Sequence, residues 1–115
     1  MSLGERQRIF SQMFGLLLNY LPVLSMQTGK KYTVAIADVQ SNPGNMPKHK
    51  SGSFHFKKCA GDLDLFINGV YQKTTKAHKP LGEFWKSMDG TWGGDFKKED
   101  GNHYSFGEGK WIKMI

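Results

Sequence analysis

Apolar side chains recur at Phe10, Met13, Phe14, Leu17 and Leu21, while Glu5, Arg8, Gln12 and Asn19 fall between them. This is the spacing of one helix face, and it predicts an amphipathic helix over residues 5–21. Ser2 followed by Glu5 matches a capping box, and Pro22 predicts an end or a kink. Tyr32 to Val39 is rich in β-branched residues and bounded by turn formers, which predicts a strand. Residues 40–52 hold two prolines, two glycines and two asparagines, the composition of an irregular loop. A loop of that length in so small a domain is expected to line a cleft.

Beyond it the period changes to two. Asp62-Leu63-Asp64-Leu65 alternates, runs into Phe66-Ile67, and meets Asn68-Gly69 before Val70-Tyr71-Gln72. Asn-Gly between apolar runs is a strong hairpin signal, because both turn residues need positive φ. Thr74 and Thr75 break the pattern. Pro80 to Met88 predicts a short helix with proline in its first turn and Leu81, Phe84, Trp85 and Met88 on one face. Asp89-Gly90 and Trp92-Gly93-Gly94-Asp95 predict a glycine-rich turn, and strands are expected near 102–106 and 110–115. The fold class is α+β: a small antiparallel sheet with an N-terminal helix and one short helix packed against it.

The first helix has rival readings. A membrane-spanning helix needs roughly 20 apolar residues, whereas the run from Met13 to Leu24 is shorter and is broken by Gly15, Asn19 and Pro22. A signal peptide would explain Arg6 and Arg8 ahead of an apolar stretch, but no small-x-small site follows Leu24. The amphipathic period favours a helix that packs on a core. On this reading the protein is made in the cytoplasm without a clear signal peptide.

Composition narrows the class further. The chain has 115 residues, enough for a single domain, 1–115, and 38% hydrophobic content argues against disorder. Sixteen Lys and Arg against ten Asp and Glu give a formal charge of +6, which suits an anionic partner. The positive residues are scattered and no stripe alternates them with aromatics, so no stable nucleic-acid partner is expected. The single Cys59 excludes an intramolecular disulfide and a cysteine-rich zinc finger. It fits a reducing compartment of synthesis and reads as a small buried hydrophobe.

Candidate chemistry sits on histidine and aspartate. Zinc in a hydrolytic site takes three His or carboxylate ligands and keeps a fourth position for water. His55, Asp62 and His103 satisfy that count, and Asp100 stands three residues before His103 as a candidate proton carrier. Spacing alone leaves the bland alternative open, in which these are surface residues. His49 and His78 read as exposed loop histidines. No His-Glu-x-x-His, Gly-x-Ser-x-Gly or phosphate-binding loop competes.

The ordered set Ser53-x-His55-x(6)-Asp62, Leu81-Gly82-Glu83-Phe84-Trp85, Trp92-Gly93-Gly94 and Asp100-Gly101-Asn102-His103 resembles the zinc D-Ala-D-Ala carboxypeptidase and L-Ala-D-Glu endopeptidase family. These are peptidoglycan peptidases, phage endolysins among them, and they share a wider fold with the hedgehog signalling domain. The resemblance covers about Tyr32 to Phe106, the motif-bearing core 32–106. It implies His55, Asp62 and His103 as ligands of one Zn2+ per chain and Asp100 as the catalytic base. Ser53 would orient the site, and Asp64 would stand beside it on the same sheet face. Trp92 reads as core and cleft wall at the substrate side.

Many family members carry an arginine on the strand before the first motif. Here that place reads Asp38-Val39-Gln40-Ser41, so Gln40 can donate a hydrogen bond but supplies no charge. The resemblance implies hydrolysis of the peptidoglycan stem peptide, as endopeptidase or carboxypeptidase, by an endolysin-like enzyme acting on the wall after release. Attraction to anionic wall polymers would follow from the charge. The alternative is a catalytically inactive basic module that binds anionic wall polymer or nucleic acid.

Overall fold

In the computed structural model, which describes residues 1–38 and 59–107, the N-terminal helix α1 spans Leu3–Thr28. Both halves of the capping box form: the Ser2 hydroxyl accepts from the Glu5 amide, and the Glu5 carboxylate accepts from the Ser2 amide. Pro22 does not end the helix. Its missing N–H costs one bond on the exposed side, whereas the following turn buries Leu24 beside Leu21. The Ser25 hydroxyl also donates to the Leu21 carbonyl and accepts from the Tyr32 amide, tying the last turns to the next strand. Gly29, with φ of 72°, closes the helix in the left-handed region.

The chain then forms β1 (Tyr32–Asp38), β2 (Ala60–Ile67) and β3 (Val70–Gln72). Asn68 and Gly69 make the β2–β3 turn with φ of 53° and 79°, as the hairpin signal requires. Helix α2 spans Thr75–Ser87, five residues earlier than the proline suggests. Thr74, which breaks the strand pattern, is its N-cap: the hydroxyl accepts from the Ala77 amide. Pro80 therefore lies inside the helix and not in its first turn.

Within the expected glycine-rich turn, Thr91–Trp92 is a short strand, β4, and Gly93–Asp95 a single 3-10 turn. Strand β5 is His103–Ser105. The strand expected over 110–115 lies outside the described residues, as does the loop over 40–52.

The sheet is antiparallel, in the order β1-β2-β5-β4, with β3 also on β2. Strand β2 pairs with β1 along one edge. On the other edge β5 takes its start, through Asp62 opposite His103, and β3 its end, through Leu65 opposite Gln72. Alternation assigns the faces. Gly61, Leu63 and Leu65 are buried, and Asp62 and Asp64 turn the other way and are half-buried.

The core forms where Phe10, Met13, Phe14, Leu17, Leu21 and Leu24 of α1 meet the sheet and α2. Trp85 is its centre, fully buried, with Phe10, Phe14 and Tyr104 each edge-on to its ring at 5.8–6.3 Å. Its indole N–H donates to the Ser105 carbonyl at 2.9 Å, so this large residue buries no unmet donor. Gly61 lets α1 come close: a Cβ there would sit 3.0 Å from the Phe14 ring. Cys59 is buried, as its apolar neighbours suggest. By length and composition α1 could cross a membrane, yet one of its faces is the core of this domain.

Candidate metal centre

Pairing of β2 with β5 brings the site together. Asp62 and His103 are direct partners across the two strands, so their side chains leave the same face. The Asp62 carboxylate and His103 Nδ1 are 3.8 Å apart. Asp100 joins them from the turn before β5. One carboxylate oxygen from each aspartate and one ring nitrogen of His103 all lie within 4.8 Å of one another. His103 is buried, Asp62 is half-buried, and Asp100 is exposed at the solvent side. Two carboxylates and an imidazole are donors that suit a divalent cation such as zinc.

The turn that carries Asp100 and His103 is held by backbone bonds. The Asp100 amide donates to the Gly93 carbonyl at 2.9 Å, and the His103 amide donates to the Asp100 carbonyl at 3.1 Å. The Leu63 amide of β2 donates to the Asn102 carbonyl at 3.0 Å. Trp92 adds the fourth link: its buried indole N–H donates to the Gly101 carbonyl at 2.7 Å. A side chain on Gly93 would run into the Asp100 carbonyl, which is why this position accepts only glycine. Asp95, which the sequence leaves without a role, pairs with Lys86 at 3.0 Å and links the 3-10 turn to α2. That link is exposed and contributes little.

Of the predicted site residues, the structure gathers Asp62, Asp100 and His103. Asp64 lies two residues along on the same face, outside that group. Trp92 is buried beneath the turn. Gln40, His49, Ser53 and His55 lie outside the described residues.

His78 corrects the sequence reading. It is not an exposed loop residue but a buried side chain of α2, whose Nδ1 lies 2.9 Å from the Tyr104 hydroxyl. Burial lowers its pKa to about 4, with Asp64 acting in the opposite direction, so the ring is neutral at pH 7. Burial likewise raises the Tyr104 pKa, against a smaller lowering by the Trp92 indole N–H. The direction of the His78–Tyr104 hydrogen bond follows the imidazole tautomer, since the hydroxyl can donate to Nδ1 or accept from it. The signal was available, since residues 78, 81, 82 and 85 follow one helix face; the proline hid it.

No family model matches the chain, and no curated protein matches it either.

Proposed function

We propose that the protein is a zinc-dependent peptidase of the peptidoglycan stem peptide, an endolysin-like L-Ala-D-Glu endopeptidase or D-Ala-D-Ala carboxypeptidase. The observation that carries this reading is the meeting of Asp62, Asp100 and His103 on one sheet face, from sequence positions that belong to separate motifs. Asp62 and His103 would hold the ion, with His55 as the third ligand. A zinc ion held there would supply a Lewis acid and bring the pKa of water from 15.7 to about 7.

The chain's own residues do the rest. Asp100 is exposed within the group, so its carboxylate can take a proton from water and deliver it to the leaving amine. The buried turn beneath keeps that carboxylate in place, because four hydrogen bonds fix the backbone on either side of it. The net charge of +6 supports attraction to anionic wall polymers, and the wall would be reached on release from the cell.

Two measurements test the reading. Metal-free protein given zinc should take up one equivalent, and digested muropeptides should show a single new cut by mass spectrometry: loss of D-Ala, or cleavage between L-Ala and D-Glu. Asp100→Asn should keep the metal and lose turnover by about 100-fold or more. A chain that binds no stoichiometric zinc overturns the proposal. If that zinc-free chain still adheres to cell walls, the inactive basic module replaces it.

A further inference from the structure

Strand β1 stands at one end of the sheet, and among the described residues nothing pairs with its outer edge. Register tells which groups face outwards. The Asn68 amide donates to the Lys31 carbonyl, and Tyr32 lies opposite Ile67, so the odd positions of β1 bond β2. The even positions, Tyr32, Val34 and Ile36, turn their amides and carbonyls away from it. Tyr32 bears this out, because its amide donates to the Ser25 hydroxyl of α1 at 2.9 Å. That bond closes one end of the edge, and the register shift after Ile36 closes the other. Val34 and Ile36 are left between them, in a run Tyr-Thr-Val-Ala-Ile-Ala that carries no charge and no proline.

The side chains around this edge point the same way. Val34 and Ile36 lie opposite Leu65 and Leu63, on the sheet face that carries the core, yet Ile36 is 55% exposed. The flank of α1 on this side is marked by Ser25, which bonds Tyr32. From Tyr32 to Ala35, the middle of the strand, is about 10 Å. About seven residues of helix cover that length. They lead from Ser25 back to half-buried Leu18, with Gly15 and Pro22 one turn to either side. Glycine is a poor helix former, and a Cβ at Gly15 would meet nothing within 4 Å, so the monomer gives no reason for it. Finally, Lys30 and Lys31 precede the strand and Asp38 ends it, so its two ends carry opposite charge.

We propose that β1 pairs antiparallel with β1 of a second copy of this chain, about a twofold axis at Ala35, so that the two sheets become one. Val34 of each copy then exchanges two hydrogen bonds with the partner's Ile36, which satisfies the free amides and carbonyls of both edges. The same pairs bring the valine and isoleucine side chains together and cover Ile36. The two α1 helices approach across the axis, and Gly15 gives them room. Lys30 and Lys31 of one copy come to the end where the other carries Asp38, a charge match that only the antiparallel sense provides. Each copy uses the same patch, so the assembly closes at two. It is independent of the peptidase reading.

The full chain is followed by analytical ultracentrifugation from low to high micromolar concentration, with amide exchange read by NMR at both ends of the range. A monomer–dimer equilibrium is expected. The Val34 and Ile36 amides should gain protection as the dimer fills, while those of Thr33 and Ala35 are protected throughout. Ile36→Lys puts a charge on the edge and Gly15→Leu a side chain between the helices; each should weaken the dimer by about tenfold or more. Gly15 is open to solvent, so its variant folds even where Ile36→Lys does not, and the two amides then report the strand pairing. A chain that stays monomeric overturns the proposal, as does a dimer that either folded variant leaves unchanged. So does a dimer whose Val34 and Ile36 amides exchange as they do in the monomer. Protection of both amides already in the monomer overturns it too, since another segment of the chain then holds the edge. A monomer that binds anionic lipid vesicles through α1 overturns it in favour of a membrane surface.

Discussion

The face between α1 and the sheet and the turn over residues 92–103 are built on different principles. At the first, six apolar side chains of α1 share the burial, and many weak contacts sum to the stabilisation. At the second, a handful of single directional hydrogen bonds hold the backbone that carries Asp100 and His103. A core of many contacts degrades in proportion to what is removed. A turn held by individual bonds loses its geometry when one goes, although the domain stays folded. Stability and site precision should therefore separate under mutation.

The largest effect is expected at the core. Trp85→Ala removes the ring on which Phe10, Phe14 and Tyr104 converge, and should cost about 3–5 kcal/mol in urea unfolding. Were the loss no larger than for a surface change, the core would not be centred where the contacts place it. Next comes the pH dependence of His78. Its folded pKa of about 4 lies below the ordinary 6.5, so the unfolded chain takes up a proton first. The contribution of His78 is complete above pH 6.5, falls as pH drops towards 4, and is constant below; the whole step is roughly 3 kcal/mol. Unfolding free energies at pH 7, 5 and 4 should show this step. In His78→Gln the dependence should be shallower; an unchanged slope would assign it to other groups.

Trp92→Phe tests the turn. It keeps most of the ring and removes the donor to the Gly101 carbonyl, at a cost of about 1–3 kcal/mol. If the proposed metal centre holds zinc, its affinity should fall by about tenfold or more even where the variant is fully folded, as titration against a chelator would measure. Equal behaviour of Trp92→Phe and a mild core variant such as Leu24→Val would abolish the distinction between the two regions. The smallest effect is expected on the outer face of α1. Met26→Gln, at 86% exposure, should stay within about 0.5 kcal/mol.

Much of the first region was legible along the chain. The spacing from Phe10 to Leu21 names five of the six buried positions of α1, and Asn68-Gly69 places the hairpin to the residue. Both are local signals: a helix face and a left-handed turn are properties of a few consecutive residues. The errors fell on the two prolines. Pro22 and Pro80 each sit inside a helix, because the loss of one hydrogen bond was outweighed by apolar packing on the opposite face. Shortening α2 at Pro80 is also what made His78 look like a loop residue.

The site divides in the same way. The sequence by itself determined the residue types and their order: an aspartate on an alternating strand, and an Asp-x-x-His turn behind a Trp-Gly-Gly segment. It also determined the faces, since period two sends Asp62 and Asp64 away from Leu63 and Leu65. Only the tertiary structure decided that β5 pairs with the start of β2, setting His103 opposite Asp62. It alone decided that Trp92 reaches under the turn to Gly101, and that β3 and β5 leave a cleft between them. Strand partners distant in sequence are chosen by the burial of whole faces, a global sum that no short window of residues contains.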